Sequence, residues 1–418
     1  MMDPTQMMPN GPRAHAFIVY WPPPKNSRKL RLAVKDIIDV KGVVTTAGSA
    51  YFKRHNPPAT EDAACLAIAR ERGVQIVGKA NMSEFAISPS GLNSYFGTPI
   101  NPHFWTSIPG GSSSGSAVAI ATNQADVAFG SDTTGSIRLP AACCGIVGLK
   151  TTLGLVPLKG VYPIESEHLD TVGPMAKDIA TTAVGMDLLE RGFAAKYASA
   201  IAAKPAGQNI LVGRIYLPGT NPAIDKAVDE ALEKAGFQVA PLDRIFREHW
   251  VQASRDTTTV AAAGAWLTDA KYSILPGISG RTKAVIALGL FEYNVNYQSA
   301  LRRLPGWERS LKQVFDDVDF IALPTVQQKP PVIPMFGGSA LFEEQVLGVQ
   351  NTAAVNFAGN PALALPIPLE GGSFTSLQLV GPKLSEAGLL NAGRIVEAAV
   401  APGSKTAVRS HYIGTGEE

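Results

Sequence analysis

The sequence has few cysteines and few charges for its length. Its 418 residues include three cysteines, of which Cys143 and Cys144 are adjacent, and only 17% of the residues are charged. Three thiols provide neither a disulfide framework nor a four-cysteine zinc site, and they favour a reducing, cytoplasmic location. A net charge of +2 provides no strong field to attract nucleic acid or an anionic membrane. We therefore expect a small-molecule substrate, with no nucleic-acid or membrane partner.

The common metal and nucleotide motifs are also missing. The six histidines include no i, i+4 pair beside a carboxylate pattern of the kind that binds zinc, and no segment has the spacing of a phosphate-binding P-loop. We therefore expect neither a metal nor an organic cofactor. The apolar patch at residues 16–21 is cut off by three prolines and is too short to span a membrane, so we expect no export signal and no anchor.

Apolar residues (45%), 40 glycines and 31 prolines are abundant, which indicates many turns between buried elements. An apolar strand at Leu30–Val34, helix signals over Thr60–Gly73 and a strand at residues 74–80 give the β–α–β order of a parallel sheet. The same order recurs over residues 209–242. Residues 254–315 have a helical composition and predict a cover on the sheet. The pattern is typical of an α/β protein.

Two glycine turns carry serines, GGSSSGS at residues 110–116 and DTTGSIR at Asp132–Arg138. A glycine turn such as the one before Ser136 can expose a hydroxyl while neighbouring backbone N–H groups converge on one point. Residues 111–115 also match G-x-S-x-G, which nominates Ser113 as a nucleophile, although that motif has to follow a strand. Because an isolated glycine–serine pair is most often an ordinary turn, the motifs alone leave these interpretations open.

Lys35 directly follows the apolar strand at Leu30–Val34. Most lysines are solvated surface charges, but an amine at the end of a buried strand loses its water, and burial lowers a lysine pKa. To act as a base near neutrality, the amine needs a pKa of about 7–8 in place of its usual value of about 10.4. Lys35 is therefore a candidate base.

Six segments, in order and at matching separations, resemble the amidase signature family. They are AVKDIIDVKGVVTTAGS, GKANMSEFA, YFGTPINP, PGGSSSGSAVAIA, GSDTTGSIRLPAACCGIVGLKTT and LDTVGPMAKD. The resemblance is strong over residues 30–178 and resumes more weakly at 319–325 and 359–382. It implies the α/β amidase-signature fold, in which a large mixed, twisted β-sheet is sandwiched between helices.

The resemblance also predicts how the chain is divided. We expect an N-terminal extension at residues 1–29, a single amidase domain at 30–405 and a C-terminal tail at 406–418. Within the domain, residues 30–178 form the signature core and 254–315 the helical cover. Longer family members carry more helical sequence at the N-terminus, so we leave the oligomeric state open, with a homodimer as one candidate.

The family implies a Ser–Ser–Lys triad. Ser136 matches the nucleophile, Ser112 the bridging serine after a cis peptide bond, and Lys35 the base. In the implied mechanism, neutral Lys35 draws a proton through Ser112 from Ser136, whose oxygen attacks an amide carbonyl, and water then cleaves the acyl-enzyme. No cofactor takes part in this scheme.

The family also implies an oxyanion hole and groups that order it. Its donors would be the backbone N–H groups of Thr133, Thr134, Gly135 and Ser136. We expect Asp132 and Arg138 to order this loop, although a solvent-facing ion pair is the alternative. Because family members usually carry glycine where this chain has Thr134, we expect either backbone strain or a narrower pocket at that residue.

The leading hypothesis is an amidase that hydrolyses a small carboxylic amide to a carboxylate and ammonia or an amine. A first alternative is an amidase-like subunit of a tRNA-dependent amidotransferase, against which we weigh the shorter chain and the lack of a basic region. A second alternative is a family scaffold that lost activity through Thr134. The retained Lys35, Ser112 and Ser136 favour an enzyme over this scaffold.

Overall fold

An eleven-stranded sheet forms the centre of the computed structural model, which describes residues 13–24, 26–335, 342 and 349–401. The strands are β1 (Phe17–Tyr20), β2 (Arg31–Lys35), β3 (Gln75–Ala80), β4 (Val127–Asp132), β5 (Val147–Lys150), β6 (Thr171–Ala176), β7 (Leu211–Arg214), β8 (Gln238–Pro241), β9 (Phe320–Pro324), β10 (Ala362–Leu369) and β11 (Ser373–Val380). Their order across the sheet is β1-β3-β2-β4-β6-β5-β10-β11-β9-β7-β8.

Helices connect and cover these strands. They are α1 (Ala50–His55), α2 (Ala67–Glu71), α3 (Ser114–Ala121), α4 (Arg138–Cys144), α5 (Ile179–Asp187), α6 (Phe193–Ala203), α7 (Pro222–Lys234), α8 (Arg244–Asp269), α9 (Gly280–Val295), α10 (Tyr297–Asp317), α11 (Gln350–Phe357) and α12 (Glu386–Val400). The side chains of Asp178, Asn221 and Asp243 each accept an N–H at the start of a helix, which satisfies donors that the helix itself leaves unpaired. Within the described residues, no helix is both long and apolar enough to cross a membrane.

The sheet is mixed, as the resemblance predicted. Strands β2 and β3 are parallel, as are β7 and β8, so both predicted β–α–β units are confirmed. Strand β4 pairs parallel with β2 and antiparallel with β6. The predicted fold class, a large mixed β-sheet between helices, is confirmed.

Both faces of the sheet are buried. Leu32, Val34 and Phe129 belong to one core cluster with residues of α5, α7 and α12, whereas Ala33 and Ala128 belong to a second cluster with residues of α3 and α4. Because alternate residues of a strand point to opposite faces, one apolar run supplies both clusters. This explains why β2 and β4 read as continuous apolar segments.

Three segments differ from the sequence-based expectations. Residues 60–63 are not helical, because the Ala63 N–H donates to the Asp39 carbonyl and the Asp62 carboxylate accepts the Lys41 N–H. The predicted helix is reduced to a 3₁₀ turn at Ala64–Leu66 followed by α2. Strand β1 pairs with β3 although it was assigned to the N-terminal extension. The helical cover begins with α8 and ends with α10, wider than 254–315 on both sides. The expected tail at 406–418 lies outside the described residues.

Candidate active site

The site lies where two neighbouring strands end. Strands β2 and β4 are parallel and adjacent, so their last residues, Lys35 and Asp132, reach the same edge of the sheet. The loop of residues 133–137 leads from β4 into α4. The carboxyl ends of parallel strands are where α/β proteins commonly bind ligands. The fold therefore gathers both serine motifs and the lysine at one edge.

The amine of Lys35 contacts two serine hydroxyls. Its Nζ lies 2.7 Å from Ser112 Oγ and 2.8 Å from Ser131 Oγ, and the side chain is completely buried. Burial lowers the pKa of Lys35 to about 7, although the carboxylates of Asp132 and Asp170 oppose this effect by favouring the charged form. A substantial fraction of the amine is therefore neutral near pH 7, as a general base requires.

Two other buried lysines do not share this environment. Burial also lowers the pKa of Lys150 to about 7, but its Nζ donates to the carbonyls of Thr151 and Asn360. Lys79 is paired with the Asp36 carboxylate at 3.1 Å. Among these three lysines, only Lys35 donates to serine hydroxyls.

The first serine motif begins with a cis peptide bond between Gly111 and Ser112. The Ser113 hydroxyl donates to the Ser131 carbonyl at 3.3 Å, and the Ser113 N–H donates to the Ser136 carbonyl at 3.2 Å. Residues 101–113 are irregular and contain no strand, so the interpretation of Ser113 as a nucleophile on a strand-to-helix elbow is wrong. The hydrogen bond from the Ser113 N–H to the Ser136 carbonyl instead links the two serine motifs.

Ser136 is buried, with 6% of its surface exposed. The hydrogen bonds of the described residues include none from its hydroxyl, whereas the Ser112 hydroxyl contacts Lys35. The structure therefore brings Lys35 and Ser112 into direct contact. It holds Ser136 next to Ser112 through the backbone of Ser113, with the Ser136 hydroxyl unpaired among those residues.

The loop after β4 differs in one respect from the expected oxyanion hole. The Gly135 N–H donates to Asp132 Oδ1 at 2.8 Å, so this donor is already engaged and its assignment to the hole needs correction. The N–H groups of Thr133, Thr134 and Ser136 donate to no carbonyl or side chain among the described residues. Gly135 has a φ of +132°, and a Cβ there would lie 2.4 Å from Thr352 Oγ1. The loop conformation therefore requires glycine at this position.

Thr134 does not strain the loop. It is absent from the non-glycine residues with positive φ, so a threonine adopts this backbone conformation normally. Its carbonyl accepts the Thr352 hydroxyl at 2.6 Å, and its side chain is half-buried. Of the two expectations for Thr134, backbone strain is therefore wrong, and a narrower pocket stays a prediction.

Asp132 and Arg138 form a fully buried ion pair, with Nη2 and Oδ1 2.9 Å apart. The Asp132 carboxylate also accepts the N–H groups of Gly135 and Ile137. Burial alone would raise the pKa of Asp132, but the Arg138 guanidinium holds it well below its usual range. The pair is not solvent-facing, and it fixes both ends of the loop.

Several contributors were missed by the sequence analysis. They are Ser131, Asp170, Thr352, Asn356 and Gln378. Arg138 donates to the Gln378 and Asn356 side chains at 2.7 and 2.6 Å, which ties the loop to β11 and α11. Ser131 lies inside the quoted GSDTTGS motif, so its polar side chain at the end of a buried strand was an available signal. Asp170 lies in the segment LDTVGPMAKD and Gln378 in the weaker resemblance at 359–382, whereas Thr352 and Asn356 left no local signal.

A cavity of about 280 Å³ borders this site. It is lined by Ile37, Ser131, Thr133, Leu158, Val161, Tyr162, Pro163, Ile164, Ser166, Asp170 and Thr171. Of these lining residues, Ser131 contacts the Lys35 amine, and Thr133 belongs to the loop after β4. Its lining contains no lysine or arginine. The cavity can therefore hold a small organic group beside the loop.

One group of side chains has the composition of a metal site. Ligand atoms of Glu165, Glu167 and His168 lie within 4.8 Å of one another. However, the Glu165 carboxylate already contacts the backbone N–H and ring of His168. An internal pairing of this kind explains the cluster without an ion.

Comparisons with known proteins give a family match and several similar proteins and structures. The family described as Amidase matches residues 30–390. A glutamyl-tRNA(Gln) amidotransferase subunit from Halobacterium salinarum is 32% identical over 412 residues, covering 88% of this chain and 94% of that protein. The structure of the corresponding subunit from Thermotoga maritima has a TM-score of 0.78 at 25% identity and covers 94% and 91% of the two chains. A protein from a vestigial complex, solved in work on the origins of an s-triazine catabolic enzyme, has a TM-score of 0.79 at 26% identity, covering 88% and 83%.

Proposed function

The chain belongs to the amidase family, and we propose that it hydrolyses the C–N bond of a carboxylic amide, with Ser136 as the nucleophile. The observation that carries this proposal is the contact between Lys35 Nζ and Ser112 Oγ at 2.7 Å. A buried amine with its pKa lowered to about 7 is suited to accept a proton at neutral pH. The bridging hydroxyl of Ser112 then extends its reach toward Ser136.

The proton and the acyl group follow separate routes in this mechanism. Neutral Lys35 takes the proton of Ser112 as Ser112 takes that of Ser136, and the Ser136 oxygen forms a bond to the amide carbon. The unengaged N–H groups of Thr133, Thr134 and Ser136 stabilise the oxyanion. The ammonium of Lys35 returns the proton through Ser112 to the leaving nitrogen. Water then hydrolyses the ester on Ser136.

The cavity supports a substrate with an uncharged acyl group. Six of its lining residues are apolar or aromatic, namely Ile37, Leu158, Val161, Tyr162, Pro163 and Ile164. Its carboxylate, Asp170, already accepts three hydrogen bonds. A carboxylate on the substrate would find no basic partner in this lining and would lose its hydration. A short aliphatic or aromatic amide fits these conditions.

The relatives favour a second candidate, an amidase-like subunit of an amidotransferase. The Halobacterium salinarum relative is named as such a subunit, and this chain matches 94% of its length. The shorter chain is therefore no argument against this candidate, which corrects our expectation from the sequence. In this role the same triad would release ammonia from glutamine, and a partner subunit would use it.

Ammonia release from a panel of amides distinguishes the candidates. We expect the wild-type protein, without any partner, to hydrolyse neutral aliphatic or aromatic amides. The Ser136→Ala variant should be inactive. Ser114→Ala is the control, because Ser114 lies in the first serine motif, two residues after Ser112, and its buried hydroxyl has no hydrogen-bond partner among the described residues. Glutamine turnover that requires tRNA and an added partner protein would instead support the amidotransferase. Absence of any hydrolysis dependent on Ser136 would contradict both candidates.

A further inference from the structure

Asp170 connects two parts of the site. Its Oδ1 accepts the Thr133 hydroxyl at 2.7 Å, and its Oδ2 accepts the N–H groups of Ile164 and Glu165 at 2.8 and 3.0 Å. The side chain is buried and directly precedes β6, which pairs with β4. One carboxylate therefore bridges the loop that contains Thr133 and the segment that contains Ile164.

The two segments that Asp170 links lie at different parts of the site. Thr133 carries one of the three unengaged N–H groups of the loop, whereas Ile164 lines the cavity. On the other side, the loop is held by Asp132 through the Gly135 N–H. The Thr133 side chain has Asp170 as its hydrogen-bond partner. Asp170 therefore anchors the side chain of the residue that carries this N–H group.

Each oxygen of Asp170 is matched to donors. Burial raises the pKa of Asp170, while the Thr133 hydroxyl and the Ile164 and Glu165 N–H groups oppose this by stabilising the carboxylate. Three donors surround the carboxylate, so its orientation is fixed. A carboxylate held in this way also keeps its three donors, among them the Thr133 hydroxyl, in fixed positions.

We propose that Asp170 is a positioning residue, which aligns the Thr133 N–H with the oxyanion and couples this alignment to the wall of the acyl cavity. The inference rests on the proposed function. Loss of the Thr133 hydroxyl releases the loop and lowers the rate of bond formation at Ser136. Loss of the Asp170 carboxylate releases the cavity wall as well and weakens substrate binding.

The test compares variants of Thr133 by their second-order rate of Ser136 labelling with a fluorophosphonate probe, whose reaction also develops an oxyanion. We expect Thr133→Val, which is nearly isosteric, to slow labelling by about tenfold, because a misplaced donor stabilises less charge. Thr133→Ser keeps the hydroxyl and should restore labelling to within about threefold of the wild type. If the Thr133 hydroxyl only stabilised the fold, its loss would lower the free energy of unfolding, but Thr133→Val and Thr133→Ser would be labelled at the same rate.

Variants of Asp170 complete the design. Asp170→Asn can keep all three contacts, with its amide donating to the Thr133 hydroxyl, and should label within about threefold of the wild type. Asp170→Ala should slow labelling and also raise KM for the amide substrate. Equal labelling of Thr133→Val and wild type, or equal losses for Asn and Ala at Asp170, would overturn the positioning role. A wild-type protein that is not labelled at Ser136 would instead refute the proposed function.

Discussion

Raising the pH should activate the enzyme by deprotonating Lys35. Burial lowers the Lys35 pKa from 10.5 to about 7, which corresponds to about 5 kcal/mol of destabilisation of the ammonium relative to the amine. At pH 7, about half of the molecules would hold a neutral amine, whereas an unperturbed lysine would be neutral in about one molecule in three thousand. The mechanism needs the neutral form.

The assay is kcat/KM, or the rate of Ser136 labelling, measured from about pH 5 to about pH 9. We expect a plateau above pH 7 and, below it, a fall of about tenfold per pH unit. Lys35→Met and Lys35→Arg should both lose the activity, since an arginine stays charged. An acidic limb centred above about pH 9, or an unchanged limb in Lys35→Met, would refute the role of Lys35 as the base.

The same pKa makes a prediction about stability. Between about pH 7 and pH 10 the unfolded chain binds the Lys35 proton and the folded chain does not, so this group makes the free energy of unfolding rise with pH. The difference between wild type and Lys35→Met should change by about 3–4 kcal/mol over that range. Urea unfolding at several pH values measures it, and a constant difference would contradict the lowered pKa.

Three further predictions concern the loop and the serine motif. Arg138→Met should destabilise the fold by about 3–5 kcal/mol in urea unfolding, because it leaves the buried Asp132 charge without its partner; a loss below about 1 kcal/mol would contradict the fixed loop. Gly135→Ala should abolish labelling, since its Cβ would collide with Thr352 Oγ1, and normal labelling would show that the loop tolerates a Cβ. Ser114→Ala should change neither stability nor labelling, because its hydroxyl has no hydrogen-bond partner in the described part of the chain; a large loss in unfolding measurements would reveal an unrecognised contact.

Local signals predicted the strands and the lysine well. The apolar run at residues 30–34 predicted β2, and the amine that follows it is buried because parallel β4 ends beside it. The strand predicted at residues 74–80 corresponds to β3, Gln75–Ala80. In each case the residues of the strand themselves carry the hydrophobic pattern that predicts it.

Long-range contacts could not be predicted in this way. The helix signals at residues 60–63 were overridden by bonds to distant backbone groups. The Gly135 N–H was assigned to the oxyanion hole, but Asp132, three residues earlier, accepts it. Asp170, directly before β6, contacts Thr133, and Thr352 of α11 contacts Thr134. The segment LDTVGPMAKD includes Asp170 but does not indicate Thr133 as its partner. Such contacts depend on the packing of the sheet.

The most direct test of the account is to locate the covalent adduct. After incubation with a fluorophosphonate probe, peptide mapping by mass spectrometry should find one adduct, on Ser136, in wild type and in Ser114→Ala, and none in Ser136→Ala. An adduct on Ser112 or Ser113 in its place, or none in the wild type, would contradict the assignment of Ser136 as the nucleophile.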